Sequence, residues 1–366
     1  MNHPSFWESE SFRQPCDLII IGAGLVGLSS ALFYKQTQPD ARVMVLERGL
    51  YPRGASTRNA GFACIGSIGE HLADLNNLTE AEVKNQMIQR FNGLLLLKQT
   101  LGEEAIGYEA CGGYELFRSQ KDIATVKAEI TRFNNWMEEL AGESSVYGAR
   151  ELNGYPVIYN RLEGSLHTGK MMQQLIQKVT RAGVEIRWNC PVQQTQPDGH
   201  VMLAGGAVLK ASQVLLAVNG FASQLLPKLN IRPARGLVLM TNKLKELPWK
   251  GTFHHDRGYI YFRNVGDQLL IGGARNAAFE EEQTVEFGIN EKVRKRLIRF
   301  TSEVLNLPAN WYIEREWSGI MGFSSDKTPI VRRVDGHRFV AAGLSGIGIA
   351  IGMKIGKSAV ALLEDK

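Results

Sequence analysis

The chain has 366 residues, more than one core usually holds, so a sheet-based domain plus a smaller second one is expected. Hydrophobic residues make up 44% and charged residues 22%, which excludes disordered and fibrous classes. Forty-two Lys and Arg against 37 Asp and Glu leave a net charge of +5 spread along the chain, which gives no nucleic-acid patch. Glycine is the outlier at 38 residues, with no collagen-like period, so those glycines read as backbone devices.

Residues 1–15 are polar and lack the apolar core of a signal peptide. No run of eighteen apolar residues follows, so no membrane partner is expected. Cys16, Cys64, Cys111 and Cys190 form no CxxC pair and no metal-ligand spacing with His, so the expectation is a reducing, cytoplasmic setting and no metal.

Leu18-Ile19-Ile20-Ile21 reads as a strand buried on both faces, and it runs into Gly22-Ala23-Gly24-Leu25-Val26-Gly27. A helical pattern follows through Leu28, Ala31 and Leu32. Arg42 to Leu46 gives a second strand that ends at Glu47, with Arg48 after it. Gly22 permits the tight turn, Gly24 lets backbone approach a pyrophosphate, and Gly27 lets helix and strand pack closely. The helix start offers N–H groups to that pyrophosphate, and Glu47 is placed for ribose hydroxyls. Strand, glycines, helix, second strand and acid at this spacing make a dinucleotide site. They do not choose between NAD and FAD.

The next stretch, Gly54-Ala55-Ser56-Thr57-Arg58-Asn59-Ala60-Gly61-Phe62, resembles the second flavin-contacting loop of the D-amino-acid oxidase family of FAD-dependent oxidoreductases, which includes glycine, sarcosine and gamma-glutamylputrescine oxidases. Standing alone, it would read as a polar surface loop. The resemblance implies FAD as cofactor and extends from about Cys16 to Leu363.

Residues 72 to 141 read as helices interrupted by a strand-like Gly113 to Phe117, and helical patterning resumes from Lys170 to Ala182. Short strands follow around Val184 to Trp188 and Cys190 to Val192; the family pattern implies that the Val192 backbone meets the adenine. Val214 to Val218 is another buried strand, which ends in Asn219-Gly220 and resembles the family's strand beneath the cofactor. From Ile231 the period shifts to alternation. Tyr259, Tyr261 and Arg263 then share one strand face, with His254 and His255 at its start, and Leu269 to Gly273 can pair with it. By resemblance that face forms the substrate side of the pocket; the plain alternative is half-buried sheet tyrosines. His167 reads as structural, packed before the Lys170 helix. Lys292 to Arg299 reads as a helix with a solvated basic face.

Trp317 to Gly322 and Asp326 to Ile330 look like the family's late motif, followed by a strand from Arg338 to Ala342. Gly343-Leu344-Ser345-Gly346-Ile347-Gly348-Ile349 then opens a final helix, another anion-binding turn. In the family this turn presents N–H groups to the flavin's pyrimidine carbonyl.

The expected fold is α/β: a Rossmann-like FAD-binding domain (15–80, 165–230 and 315–366) interleaved with an α+β substrate domain on an antiparallel sheet (81–164 and 231–314). The resemblance implies oxidation of a C–N bond of a small amine or amino acid. A hydride equivalent passes to flavin N5, and the imine hydrolyses. A dehydrogenase with a non-oxygen acceptor and a non-catalytic flavin protein are the alternatives. Close relatives of glycine oxidase carry a carboxylate-clamping Arg where this chain has Met321, and a thioether cannot replace a guanidinium. Either Arg263, Arg275 or Arg235 substitutes, or the substrate has no α-carboxylate. Some members attach FAD through a cysteine near the late motif; none follows Cys190, so FAD is expected to be noncovalent. Oligomeric state is left open.

Overall fold

The computed structural model describes residues 5–12 and 14–365. Its first sheet grows from the strand Cys16–Ile21, in which Leu18, Ile19 and Ile20 are fully buried, as befits a strand covered on both faces. This strand pairs in parallel with Val43–Leu46 on one side and Val208–Leu216 on the other. Glu185–Arg187 and Arg338–Ala342 extend the parallel array, and Ile330–Asp335 adds an antiparallel edge. The hairpin Val192–Thr195 and His200–Leu203 continues from Val208–Leu216.

Two helices cover one face of this sheet. Leu25–Thr37 follows the first strand and Gly348–Glu364 closes the chain. They touch at Gly356, where a Cβ would overlap the Ser29 hydroxyl, and Ser30 Oγ donates to the Gly356 carbonyl at 3.3 Å. Only a residue without a side chain allows that approach.

The second sheet runs in the order Ile313–Phe323, Arg232–Thr241, Gln268–Gly273, Ile260–Val265, Thr252–His255, Gly113–Leu116, Tyr155–Asn160, Tyr147–Leu152. It is antiparallel except where Thr252–His255 pairs in parallel with Gly113–Leu116. Its core holds Trp249, Phe253 and Phe262, with Phe253 and Phe262 stacked at 4.6 Å. The long strand Ile313–Phe323 belongs to this sheet, so an interleaved division at residue 315 cuts through it.

The helix Glu291–Phe300 buries Val293, Leu297 and Phe300. Its basic face is paired: Lys292, Arg294 and Arg296 meet Glu281, Glu316 and Asp256. His167 lies at the start of the helix Thr168–Arg181, where its Nδ1 accepts the Lys170 N–H at 3.2 Å. Among the described residues no helix is long and apolar enough to cross a membrane, and no group of His, Cys, Asp and Glu could hold a metal.

Candidate active site

One cavity of about 1020 Å³ lies between the two sheets, at the top of the size range of ligand pockets. Its first wall is mostly backbone. Gly22 sits at φ +104°, and a Cβ there would come within 2.7 Å of the Ala217 carbonyl. A Cβ on Gly27 would overlap the Gly22 carbonyl oxygen, so the turn and the helix can meet only through glycine. The helix Leu25–Thr37 begins at Gly24 with no capping from that residue; Leu25 N–H is held by Ser56 Oγ at 2.9 Å. Glu47, buried at the end of its strand, accepts Ala23 N–H and Gly49 N–H at 3.0 Å each. A carboxylate has about four acceptor positions, so two stay available for hydroxyl donors.

The second helix start at this cavity belongs to Gly348–Glu364, preceded by Ser345 and Gly346 in left-handed backbone. Its N-cap, Ile347, supplies no side-chain cap. Asn219 Oδ1 holds the incoming turn by accepting Gly343 N–H at 3.0 Å and Leu344 N–H at 3.3 Å. Two helix N-termini lacking side-chain caps thus border one cavity, each with N–H groups and a partial positive charge for an anionic or electron-rich ligand. A diphosphate-bearing cofactor with a polar ring system fits this arrangement.

The loop after the second strand contains one helical turn, Ala55–Arg58. Thr57 Oγ1 donates to the Pro52 carbonyl, and Asn59 Oδ1 accepts Gly61 N–H at 2.8 Å. Arg58 Nη1 donates to the Ser318 carbonyl at 2.7 Å, while Trp317 Nε1 donates to the Arg58 carbonyl at 3.1 Å. These bonds staple the loop to the late strand of the second sheet.

The opposite wall is made of side chains. Tyr261 is packed edge-on to Phe62 at 5.6 Å, and burial pushes its phenol up to about 12. Met321 lies between Gly236 and Gly346. Arg275 rests on Phe279 and Phe323, its guanidinium carbon 4.1 and 4.8 Å from the ring centroids. Deeper, His254 is 6% exposed and lies 3.9 Å from both the Glu70 and Glu163 carboxylates. Glu163 accepts Ile65 and Gly66 N–H, and burial raises its carboxyl pKa. Glu115 accepts Gly69 N–H at 2.9 Å, and burial pushes its carboxyl up to about 7.

The cavity brings together Gly22, Gly24, Leu25, Val26, Glu47, Arg48, Ser56, Arg58, Asn59, Ala60, Val192, Asn219, Gly346, Ile347, Gly348 and Ile349 with Tyr259, Tyr261 and Met321. Ala23, Gly27, Thr57, Gly61, Gly220 and Gly343 stand behind that lining, where they shape or hold the turns. Arg263 does not reach the cavity. It is 8% exposed, its Nη1 donates weakly to the Gly61 carbonyl at 3.4 Å, and the Gly61 turn lies across it. His254 and His255 end their own strand, Thr252–His255, and a turn with Asp256 and Arg257 in left-handed backbone separates them from Tyr259. Tyr259 itself precedes the strand Ile260–Val265.

Sequence reasoning missed Cys64 and Glu70 as lining residues; Phe62 and Lys327, which also line the cavity, lie within the Gly54–Phe62 loop and the late motif. Glu70 carried one readable signal, the capping box Ser67-Ile68-Gly69-Glu70, which fixes its side chain at the start of the helix Ile68–Asp74.

Comparison with known proteins agrees with this architecture. Glycine oxidase from Geobacillus kaustophilus superposes with a TM-score of 0.77 at 18% identity, over 96% of this chain and 95% of that one. L-proline dehydrogenase from P. horikoshii gives 0.78 at 16%, over 96% and 94%. In sequence, N-methyl-L-tryptophan oxidase of Yersinia pestis is 24% identical over 378 residues, spanning 96% of this chain and 95% of that protein. The probable oxidoreductase OrdL of Haemophilus influenzae is 22% identical, spanning 92% and 80%. Residues 17–362 match the profile of the family described as FAD dependent oxidoreductase, and with nearly the whole chain covered, this protein belongs to that family.

Proposed function

We propose that this enzyme oxidises the C–N bond next to an amine nitrogen in a small amine or amino acid, with FAD held noncovalently. The observation that carries the reading is the two-sided cavity: a backbone wall with two helix starts lacking side-chain caps faces a side-chain wall with Tyr259, Tyr261 and Met321. Three of the relatives named above fit it, being glycine oxidase, L-proline dehydrogenase and N-methyl-L-tryptophan oxidase.

FAD, when bound, supplies the two-electron acceptor. Gly22 to Val26 would hold its diphosphate and Glu47 the ribose, with Val192 at the adenine and Gly346 to Ile349 at the ring carbonyls. Ser56 and Asn59 fix the loop that closes over them. Tyr261 keeps its proton at any working pH and can donate a hydrogen bond to substrate. The Phe62, Tyr261 and Val238 side of the cavity keeps bulk water from the reacting carbon. Four unpaired cysteines suit the reducing cytoplasm in which we place the protein.

Anaerobic bleaching of the bound flavin by a panel of amines, N-methyl amino acids and D-amino acids tests this. Bleaching by at least one of them is expected; a flavin that none of them reduces would refute the reading.

A further inference from the structure

Three arginines could compensate for the absence of a guanidinium at position 321, and their surroundings separate them. Arg235 is committed to the buried Glu282 through two hydrogen bonds, Nε to Oε2 at 3.0 Å and Nη2 to Oε1 at 2.8 Å. Arg263 is shut behind the Gly61 turn. Arg275 lines the cavity, and its guanidinium makes no hydrogen bond or ion pair with any described residue.

Its setting is unusual for a surface arginine. Phe279 and Phe323 hold the guanidinium by cation–π contact. The titratable groups that act on it are the Tyr259 phenol and Glu282, and the Glu282 carboxylate is already used by Arg235. Partial burial lowers the guanidinium's pKa, although it stays charged. A partly desolvated guanidinium whose N–H donors have no protein acceptor leaves those donors open to a counter-ion that arrives with a ligand.

The backbone below it is equally fixed. Ala274 is fully buried with φ +54°, a left-handed conformation that disfavours an alanine, and its N–H donates to the Tyr259 carbonyl. The turn Arg275–Ala277 therefore starts from a pinned, strained residue beside Tyr259. Phe323, on which Arg275 rests, is two residues from Met321 on one strand, so both side chains point to the same face. Arg275 thus reaches from the end of the strand Gln268–Gly273, across the intervening strand Arg232–Thr241, to the ring of Phe323 on the strand that carries Met321.

We propose that Arg275 is the specificity-determining anion receptor of this cavity, taking a carboxylate of the amine substrate from a position other than residue 321. The substrate class then becomes a small amine that also carries a carboxylate. This rests on the C–N oxidation reading for the word amine, but the anion site itself does not.

The test is a flavin-absorbance titration of the holoenzyme with non-reducible pairs: acetate against acetamide, butyrate against butyramide, benzoate against benzamide. At least one carboxylate should bind the wild type at least about tenfold more tightly than its amide, as charge-assisted bidentate bonding requires. Arg275→Met should remove that preference while leaving amide binding unchanged, and Arg275→Lys should keep part of it. If Arg275→Met loses flavin, Arg275→Gln and Arg275→Lys carry the comparison. Equal binding of carboxylates and amides by the wild type overturns the inference, as does a flavin-replete Arg275→Met or Arg275→Gln variant that keeps the preference. Should amines bleach the flavin while carboxylates show no preference, the anion receptor fails and C–N oxidation stands. Should the preference depend on Arg275 while no amine or amino acid bleaches the flavin, the receptor stands and the oxidation reading fails.

Discussion

The two walls of the cavity are built on opposite principles. The wall against the parallel sheet offers main-chain N–H groups and glycines whose missing side chains are occupied by neighbouring backbone, as at Gly22 against Ala217. The wall against the antiparallel sheet offers charges and rings carried on side chains: Arg275, Tyr261, His254 and Glu70. A backbone wall is fixed by the fold and tolerates no side chain, whereas a side-chain wall can be rewritten residue by residue. This is the division expected of a site that keeps its cofactor and changes its substrate.

The contrast breaks first at Gly27. Gly27→Val places a branched side chain on the Gly22 carbonyl inside a buried helix–strand contact. With no room to relax, it should cost about 3 kcal/mol or more and abolish flavin retention. Flavin content of the purified protein and its melting temperature check this. A Gly27→Val variant with full flavin would show that the turn is not backbone-limited.

Behind the side-chain wall the limit is charge, at Glu115, which holds the helix Ile68–Asp74 through Gly69 N–H. Glu115 has its carboxyl pushed up to about 7 by burial, against an unfolded value near 4.5. Its protonated form is favoured in the fold, so the associated stability is present below pH 4.5 and is lost as pH rises to about 7. By pH 8 the ionised group costs on the order of 3 kcal/mol. Glu115→Gln removes that dependence. The melting temperature of the variant relative to wild type should rise by several degrees between pH 5 and pH 8. An unchanged difference at the two pH values would place the charge elsewhere.

Glu47 sharpens the comparison, because it is a carboxylate in a wall otherwise built mostly from backbone. It already holds Ala23 and Gly49 N–H. Glu47→Ala should weaken FAD by about ten- to a hundredfold, through lost ribose acceptors and two orphaned N–H groups. Equilibrium titration of apoprotein with FAD measures it, and unaltered affinity would remove Glu47 from the site.

The same contrast explains what was legible in the sequence. The backbone wall is encoded contiguously: residues 18–27 contain strand, turn and helix start, and Glu47 follows at a fixed spacing. The glycine surplus marked both helix starts, with five glycines between Gly343 and Gly356. The side-chain wall draws residues from segments far apart, and alternation along one strand cannot reveal what crosses it. Arg263 shared a face with Tyr261 by period, yet the Gly61 turn, two hundred residues earlier in the chain, covers it. Arg275 was visible only as one of three arginines, and its distinction is the absence of a partner, which a sequence does not record. His254 was placed beside the pocket strand by the sequence, but its two carboxylate neighbours were not visible, since Glu70 and Glu163 reach it from separate elements.

The smallest effect expected is at the cysteines, and it bears on how the cofactor is held. Cys64 and Cys190 both line the cavity, so proximity alone would allow a thioether to the flavin. Burial raises the pKa of both thiols, that of Cys64 well above the usual range, aided by the Glu163 and Glu70 charges. The thiolate is the nucleophile, and neither residue forms it readily at neutral pH. Acid precipitation of the wild type should therefore release the flavin into the supernatant, and Cys64→Ser and Cys190→Ser should change neither that release nor the flavin content. Yellow colour that stays with the acid pellet and disappears in one of the two variants would show that the backbone wall needs a covalent anchor after all.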